Sequence, residues 1–266
     1  MKNSISKEKF GPWALVTGAS SGIGEEFANQ LAAQGFNIVL VARREQQLSS
    51  IASELEEKYH IETKVASIDL SEDGFISKVA LVTDTLDIGL VISNAGIAFP
   101  GELIRMDIND LKKGVRINVL AHLELARYFG GKLASRGKGG IIFLSAMGSV
   151  NGVPFLSNAA ATKAYVYSLA LGLHTELKRY GVNVTVLSPG VVDTPGMADL
   201  GLTAADVPMK PMSAKQCVTE ALTGLKQNKP EVIPGVMNRL INTLAPASVG
   251  RNMMAKMLTK SMGITG

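Results

Sequence analysis

The stretch WALVTGASSGIGEEF, residues 13–27, sets a short apolar run directly before a glycine-rich turn, and that turn directly before a helical pattern. Glycines at 18, 22 and 24 let the backbone turn tightly and come close to a pyrophosphate. The free N–H groups and positive dipole end of the following helix favour the phosphate charge. A glycine cluster could equally serve only to reverse the chain, but the order strand, turn, helix is the one that phosphate cradling needs. Gly18, Ser20, Ser21, Gly22, Ile23 and Gly24 are therefore candidate cofactor contacts, with the spacing G-x-x-x-G-x-G. Glu25 and Glu26 fall in the first helical turn, where the dipole favours carboxylates without any catalytic role.

Outward from this unit the same rhythm repeats. Runs rich in β-branched residues at 13–17, 37–42, 63–68, 88–93, 140–145, 182–188 and 231–234 alternate with helical patterns at 24–34, 45–58, 72–85, 107–135, 157–179 and 213–227. Ser71, Asp107 and Ser213 supply polar starts for three of these helices. The first six runs read as apolar on both faces, as strands of a parallel sheet covered on each side do. The expected architecture is a single-domain α/β fold of Rossmann type, a doubly wound parallel sheet of about seven strands spanning 1–266. The segment 190–212, rich in Pro, Gly and Met, reads as a substrate loop, and 235–266 as a C-terminal helical extension.

Composition narrows the function. The 266 residues are 46% hydrophobic and 19% charged, enough to bury one large core, and the net charge of +4 is spread without a basic block, so nucleic acid is not an expected partner. The single cysteine, Cys217, reads as a small buried hydrophobe and suits a reducing compartment. The N-terminus carries no signal-like apolar core and no run is long enough to span a bilayer, so a cytoplasmic protein is expected. His60, His122 and His174 lack metal-ligand spacing, so no metal is expected. The tail 236–262 mixes Met, Leu and Ile with Arg239, Arg251, Lys256 and Lys260. A packed terminal helix is the preferred reading there, and membrane-surface association is not expected.

The motifs then align with a family. TGASSGIG matches the cofactor motif of the short-chain dehydrogenases/reductases residue for residue, and SNAG at 93–96 resembles that family's NNAG, with Ser93 in place of the first Asn. The resemblance covers roughly residues 11–233. It implies that Asp69 contacts adenine, that Asn94, Ala95 and Gly96 line the cofactor, and that Asn118 in RINVL supports a structural water and proton relay. It also implies that Pro189 and Gly190, with Asp193 and Thr194, close over the nicotinamide. Lys163 in ATKAYV matches the family lysine that binds the ribose and lowers a tyrosine's pKa. By the same resemblance the protein assembles as a homodimer or homotetramer through the helices at 107–135 and 157–179.

The second run ends in VARR. An NAD site needs a carboxylate there for the ribose 2′-hydroxyl, whereas a 2′-phosphate needs a cation. Ala42 offers no carboxylate and Arg43 offers a planar cationic fork, so NADP(H) is favoured over NAD(H). The bland alternative is that Arg43 and Arg44 merely solvate a helix start.

Two positions break the pattern. The family places a tyrosine four residues before the lysine and a serine thirteen residues before that tyrosine; counting back from Lys163 gives Ala159 and Ala146. The expected catalytic set is thus Asn118 and Lys163, with alanine at the Ser and Tyr positions. Ser145 should point to the opposite face of its strand, and Tyr165 and Tyr167 lie too far along their helix to substitute. The pairing of both losses favours deliberate exchange in a working enzyme over a natural loss of chemistry.

Three functions stay open: an impaired NADP(H)-dependent carbonyl reductase or alcohol dehydrogenase, a nucleotide binder without redox turnover, or a scaffold repurposed for other chemistry, for which a Schiff base on Lys163 is conceivable. Met197, Leu200, Leu202 and Met209 in the 190–212 loop imply an apolar small-molecule substrate.

Overall fold

The computed structural model describes residues 5–207 and 209–263. Position 208 of the substrate loop, the last three residues of the extension and the first four of the chain lie outside the described residues. Strands β1 (Trp13–Thr17), β2 (Asn37–Ala42), β3 (Thr63–Ser67), β4 (Ile88–Ser93), β5 (Gly139–Leu144) and β6 (Val182–Leu187) alternate with helices. A short α1 (Lys7–Phe10) opens the order, followed by α2 (Gly22–Ala32), α3 (Glu45–Tyr59), α4 (Phe75–Thr83), α5 (Ile108–Val115), α6 (Ala121–Arg136) and α7 (Ser157–Lys178). Beyond β6 come β7 (Val192–Asp193), α8 (Pro195–Asp199), β8 (Met212–Ser213), α9 (Ala214–Lys226), β9 (Glu231–Val232), α10 (Val236–Leu244) and α11 (Ala247–Ser261).

The main sheet has seven parallel strands in the order β3-β2-β1-β4-β5-β6-β9, with helices on both faces. Period-two alternation deals the strand side chains to two cores. Ala14, Val16, Ile38 and Leu40 join Phe27, Leu31, Val218 and Leu222 of α2 and α9 on one face. Leu15, Val39, Val41 and Phe143 join Leu125, Phe129 and Val166 of α6 and α7 on the other. Fully burying one such side chain contributes roughly 1.5–3 kcal/mol, so both faces are strongly specified.

Four sequence expectations are corrected. β3 is half exposed, because it is the sheet's edge strand and has a neighbour on one side only. Ser71 does not start α4: it donates to Asp69 Oδ1 through both N–H and hydroxyl, and the helix begins after Gly74. The continuous helix expected over 107–135 is interrupted by a π-helical turn at Arg116–Leu120. The segment 190–212 is not plain loop, since β7 and β8 pair in parallel and α8 lies between them. Asp107 and Ser213 do cap their helices, accepting from Asn109 N–H at 2.8 Å and Gln216 N–H at 3.2 Å.

A third apolar cluster ties the extension down. Met257 and Leu258 of α11 are buried with Leu156, Leu202 and Val207.

Candidate active site

The chain leaves β1 in one direction along the sheet and returns to β4 in the other, so the carboxyl ends of these neighbours part and leave a crevice between them. A chamber of about 1570 Å³ opens there. It is larger than the ~300–1,000 Å³ of a typical small-molecule pocket, as a site for two ligands side by side must be.

The nucleotide end is built from glycines. Gly18 and Gly22 have φ of +66° and +60°, which side chains rarely adopt. A Cβ on Gly24 would collide with the Gly18 carbonyl oxygen, and one on Gly22 would stand 3.2 Å from Thr194 Cβ. Helix α2 can therefore press against the turn from below while Thr194, just before α8, arches over it. Thr17 joins this turn to the next strand: its Oγ donates to Ile92 O at 3.2 Å and accepts from Asn94 N–H at 2.9 Å and Ala95 N–H at 3.1 Å. Asn94 Nδ2 donates to Thr17 O at 2.9 Å, which leaves its buried Oδ1 without a partner among the described residues.

Gly18, Ser20, Ser21, Gly22, Ile23, Arg43, Asp69, Asn94, Ala95, Gly96, Lys163, Pro189, Gly190 and Thr194 all border the chamber, and so do Ala146 and Ala159. Gly24 lies beneath the turn, and Asn118 stands behind Gly96 rather than on that wall. The Asn118 amide is fully engaged. Its Oδ1 accepts from Ile97 N–H at 2.9 Å, and its Nδ2 donates to Ile97 O at 2.7 Å and to Thr162 Oγ at 3.0 Å. The π turn is what carries Asn118 into this position, in line with the tendency of such bulges to mark functional sites.

The two arginines have different surroundings. Arg44 donates to Ser20 Oγ and Ser21 Oγ, each at 2.9 Å, and to Ser20 O at 3.2 Å, bracing the glycine turn. Arg43 is exposed at the chamber's edge near Asp69. Burial pushes the Asp69 carboxyl up, but hydrogen bonds from Ser71 and the charge of Arg43 outweigh it and hold the group below its usual range.

His122, read from the sequence as a core or surface histidine without a metal-binding role, is a core residue that organises the SNAG turn. His122 lies between Ser93 Oγ (2.7 Å from Nδ1) and Ala95 O (3.1 Å from Nε2). The carbonyl can only accept, so Nε2 carries the proton and Nδ1 accepts from the serine hydroxyl. Burial first, and the nearby Lys163 charge second, lower its pKa to about 3, so the ring stays neutral. Its spacing of one helical turn from Asn118 was the available signal.

Lys163 stands where these elements meet. Its Nζ donates to Leu144 O at 2.9 Å, and burial lowers its pKa to about 8. Ser145 does point away from the chamber, as expected, donating to Lys163 O at 2.8 Å from below. Tyr167 donates to Glu231, and Tyr165 is exposed. Beyond the nucleotide end the wall is apolar and includes Met147, Met197, Met212, Met253, Met254 and Met257, with the more exposed Met209 and Met237. Eight of the chain's eleven methionines thus face one chamber.

Fold and cradle together define a dinucleotide-binding protein of the Rossmann class. More specifically, the chain belongs to the short chain dehydrogenase family, whose model matches residues 12–204. It is 33% identical over 190 residues to the very-long-chain 3-oxoacyl-CoA reductase of Mus musculus, a match covering 70% of this chain and 61% of that protein. Among solved structures, a 7β-hydroxysteroid dehydrogenase superposes with a TM-score of 0.83 at 26% identity, covering 94% of this chain and 98% of that one. A short-chain dehydrogenase from Sphingobium yanoikuyae in complex with NADPH gives 0.79 at 25% identity, covering 96% of both chains. Nicotinamide dinucleotides are the cofactors of this family. No helix among the described residues is long and apolar enough to cross a membrane.

Proposed function

We propose that this chain is an NADP(H)-linked oxidoreductase frame for an apolar ketone or alcohol, with its carbonyl-side acid–base pair removed at positions 146 and 159. The observation that carries this reading is the chamber wall itself. Ala146, Ala159 and Lys163 border one cavity beside an intact glycine cradle, so only the groups that would touch a substrate oxygen are missing.

The residues present fit a dinucleotide. The glycine turn leaves room where side chains would stand, and Asn94 Oδ1 is a buried acceptor awaiting a donor. Arg43 supplies a cation for a 2′-phosphate, and the NADPH complex of the Sphingobium relative supports that preference. When bound, the nicotinamide supplies a hydride donor or acceptor. This chain's part would be to bind, orient and exclude water: Lys163 would hold a ribose hydroxyl, Pro189, Gly190 and Thr194 would help hold the nicotinamide half, and Asn118 and Thr162 hold the α7 frame against Ile97.

With alanine at 146 and 159, neither position holds or delivers a proton at the substrate oxygen. A positioned general acid is worth about 10²–10⁴ in rate and an oxyanion donor about 10²–10³, with losses that do not simply add. The frame is otherwise coherent, which favours exchange of two side chains in a working enzyme. The methionine wall suits an apolar substrate, and the steroid and long-chain acyl relatives support that class. Assembly into a dimer or tetramer through α5, α6 and α7 belongs to the same proposal, supported by Ile108, Val115, Leu120 and Leu123 exposed on those segments. A reducing, cytoplasmic setting belongs to it as well.

The second reading, a nucleotide binder without turnover, draws on one observation: the nearest candidates the sequence offered are engaged elsewhere, Ser145 donating to Lys163 O and Tyr167 to Glu231. One experiment separates the two. NADPH and NADH are titrated by fluorescence into the parent chain and the Ala146→Ser, Ala159→Tyr double variant, and both proteins are then assayed on apolar ketones. Tight NADPH binding by both, with turnover in the double variant, supports the impaired enzyme. Binding without recovered turnover supports the binder, and absence of binding overturns both.

A further inference from the structure

Lys163 stands part-buried at the chamber wall. Its amine borders a large, mostly apolar chamber, and its hydrogen bond goes to a neutral acceptor, Leu144 O at 2.9 Å. Among the described residues no carboxylate pairs with it within ion-pair distance. The titratable group facing it from α6 is His122, which stays neutral.

The space around the amine is open on the substrate side. Ala159, one helical turn earlier on α7, and Ala146, just beyond β5, present only methyl groups to the same cavity. On the far side Gly96 has no side chain, and a Cβ there would stand 3.0 Å from Nζ. An amine at the edge of an apolar cavity, without a counter-ion and without a bulky neighbour, has the setting in which a lysine becomes a nucleophile.

We propose that, in the cofactor-free protein, Lys163 reversibly captures apolar aldehydes as imines. The Nζ lone pair attacks the carbonyl carbon, forming an N–C bond while the carbonyl π electrons move to oxygen. That oxygen takes up a proton to give a carbinolamine. Loss of the hydroxyl as water, with the remaining proton leaving nitrogen, yields the imine. One amine and one aldehyde give one imine and one water, with nothing oxidised or reduced. Burial supports the step, because it brings the ammonium down to about 8 and keeps about a tenth of it unprotonated near neutrality. The methionine wall selects the aldehyde, accepting a flexible apolar chain of varied shape.

The test uses the full chain, decanal and sodium borohydride, which reduces any imine to a stable secondary amine, followed by peptide mass mapping. The expected result is an adduct at Lys163 at least about tenfold more abundant than at exposed lysines such as Lys64 and Lys256, and its loss in Lys163→Arg. In the Ala159→Tyr variant, where a phenol fills the approach, labelling of Lys163 falls to the level of the exposed lysines. Adducts spread evenly over exposed lysines in the parent chain overturn the proposal, and because mapping is site-resolved that outcome does not depend on any variant folding. Selective labelling that persists at saturating NADPH supports this amine chemistry while counting against the cofactor reading, so the two fail separately.

Discussion

Two methyl groups stand where the family resemblance puts a phenol and a hydroxyl, both on the chamber wall with Lys163. If Ala159 marks the proton donor's place, the single Ala159→Tyr change should raise ketone reduction by roughly 10²–10⁴, and Ala146→Ser alone by less, measured as kcat/KM with NADPH. The arginines permit a sharper dissection. Arg43→Ala should weaken NADPH binding while leaving NADH nearly unchanged, because only the former offers a 2′-phosphate. Arg44→Ala should weaken both, because it releases Ser20 and Ser21. Equal losses for both cofactors in Arg43→Ala would remove Arg43 from the specificity argument. Sequence could place both arginines at the end of β2 but not assign their partners, since a guanidinium's direction depends on a loop more than twenty residues away.

His122 acts at the same scale through protons. Its pKa is about 3 in the folded protein and 6.5 unperturbed. Between those values the unfolded chain binds a proton that the folded one refuses, so this residue's contribution to stability is present above 6.5 and is lost as pH falls through the window. His122→Leu should flatten that acid slope in urea unfolding. At neutral pH it should also cost about 1–3 kcal/mol, because the Ser93 hydroxyl and the Ala95 carbonyl are left unpaired.

At the scale of elements, the glycine turn and α2 behave as one part. Gly24→Ala places a methyl group on the Gly18 carbonyl oxygen. The helix must back away, and NADPH affinity should fall at least tenfold together with a stability loss of about 1–3 kcal/mol, read by titration and thermal melting. This element was legible because its chemistry is local: strand, turn and helix follow one another within fifteen residues. The π turn was not, since RINVL reads like any helical segment and the bonds that Asn118 makes there reach Ile97, twenty-one residues away. The half-exposed face of β3 escaped for a related reason. Its composition suits a covered strand, and its place at the sheet edge is decided by strand order rather than by its own residues.

At the scale of the whole molecule, sheet, helices and chamber meet at the part-buried Lys163 amine. Lys163 titrates at about 8 in the fold against 10.5 unperturbed, so the unfolded chain holds a proton across that interval that the native one lacks. Stability gains from this residue as pH rises from 8 to 10.5 and is unaffected by it below. Comparing the parent chain with Lys163→Met in urea unfolding at either end of the interval checks this: the variant should lose the alkaline gain. A parallel pH response in both proteins would mean that the amine is solvated. The doubly wound sheet was readable from the alternation of runs, and a packed terminal helix from the apolar residues of the tail, whereas the pairing of β7 with β8 was not, because it joins segments with no repeating pattern to advertise them.

The methionine wall gives the chamber a sensitivity to oxidants that the nucleotide cradle does not share. Peroxide adds oxygen to a thioether and turns an apolar, flexible side chain into a polar one. The glycine turn, Arg43, Asp69 and Asn94 contain no such atom, while the substrate end is ringed by them. Mild oxidation should therefore weaken binding of apolar ligands while sparing NADPH, and methionine sulfoxide reductase should restore it, making one half of a continuous cavity a reversible record of oxidative stress.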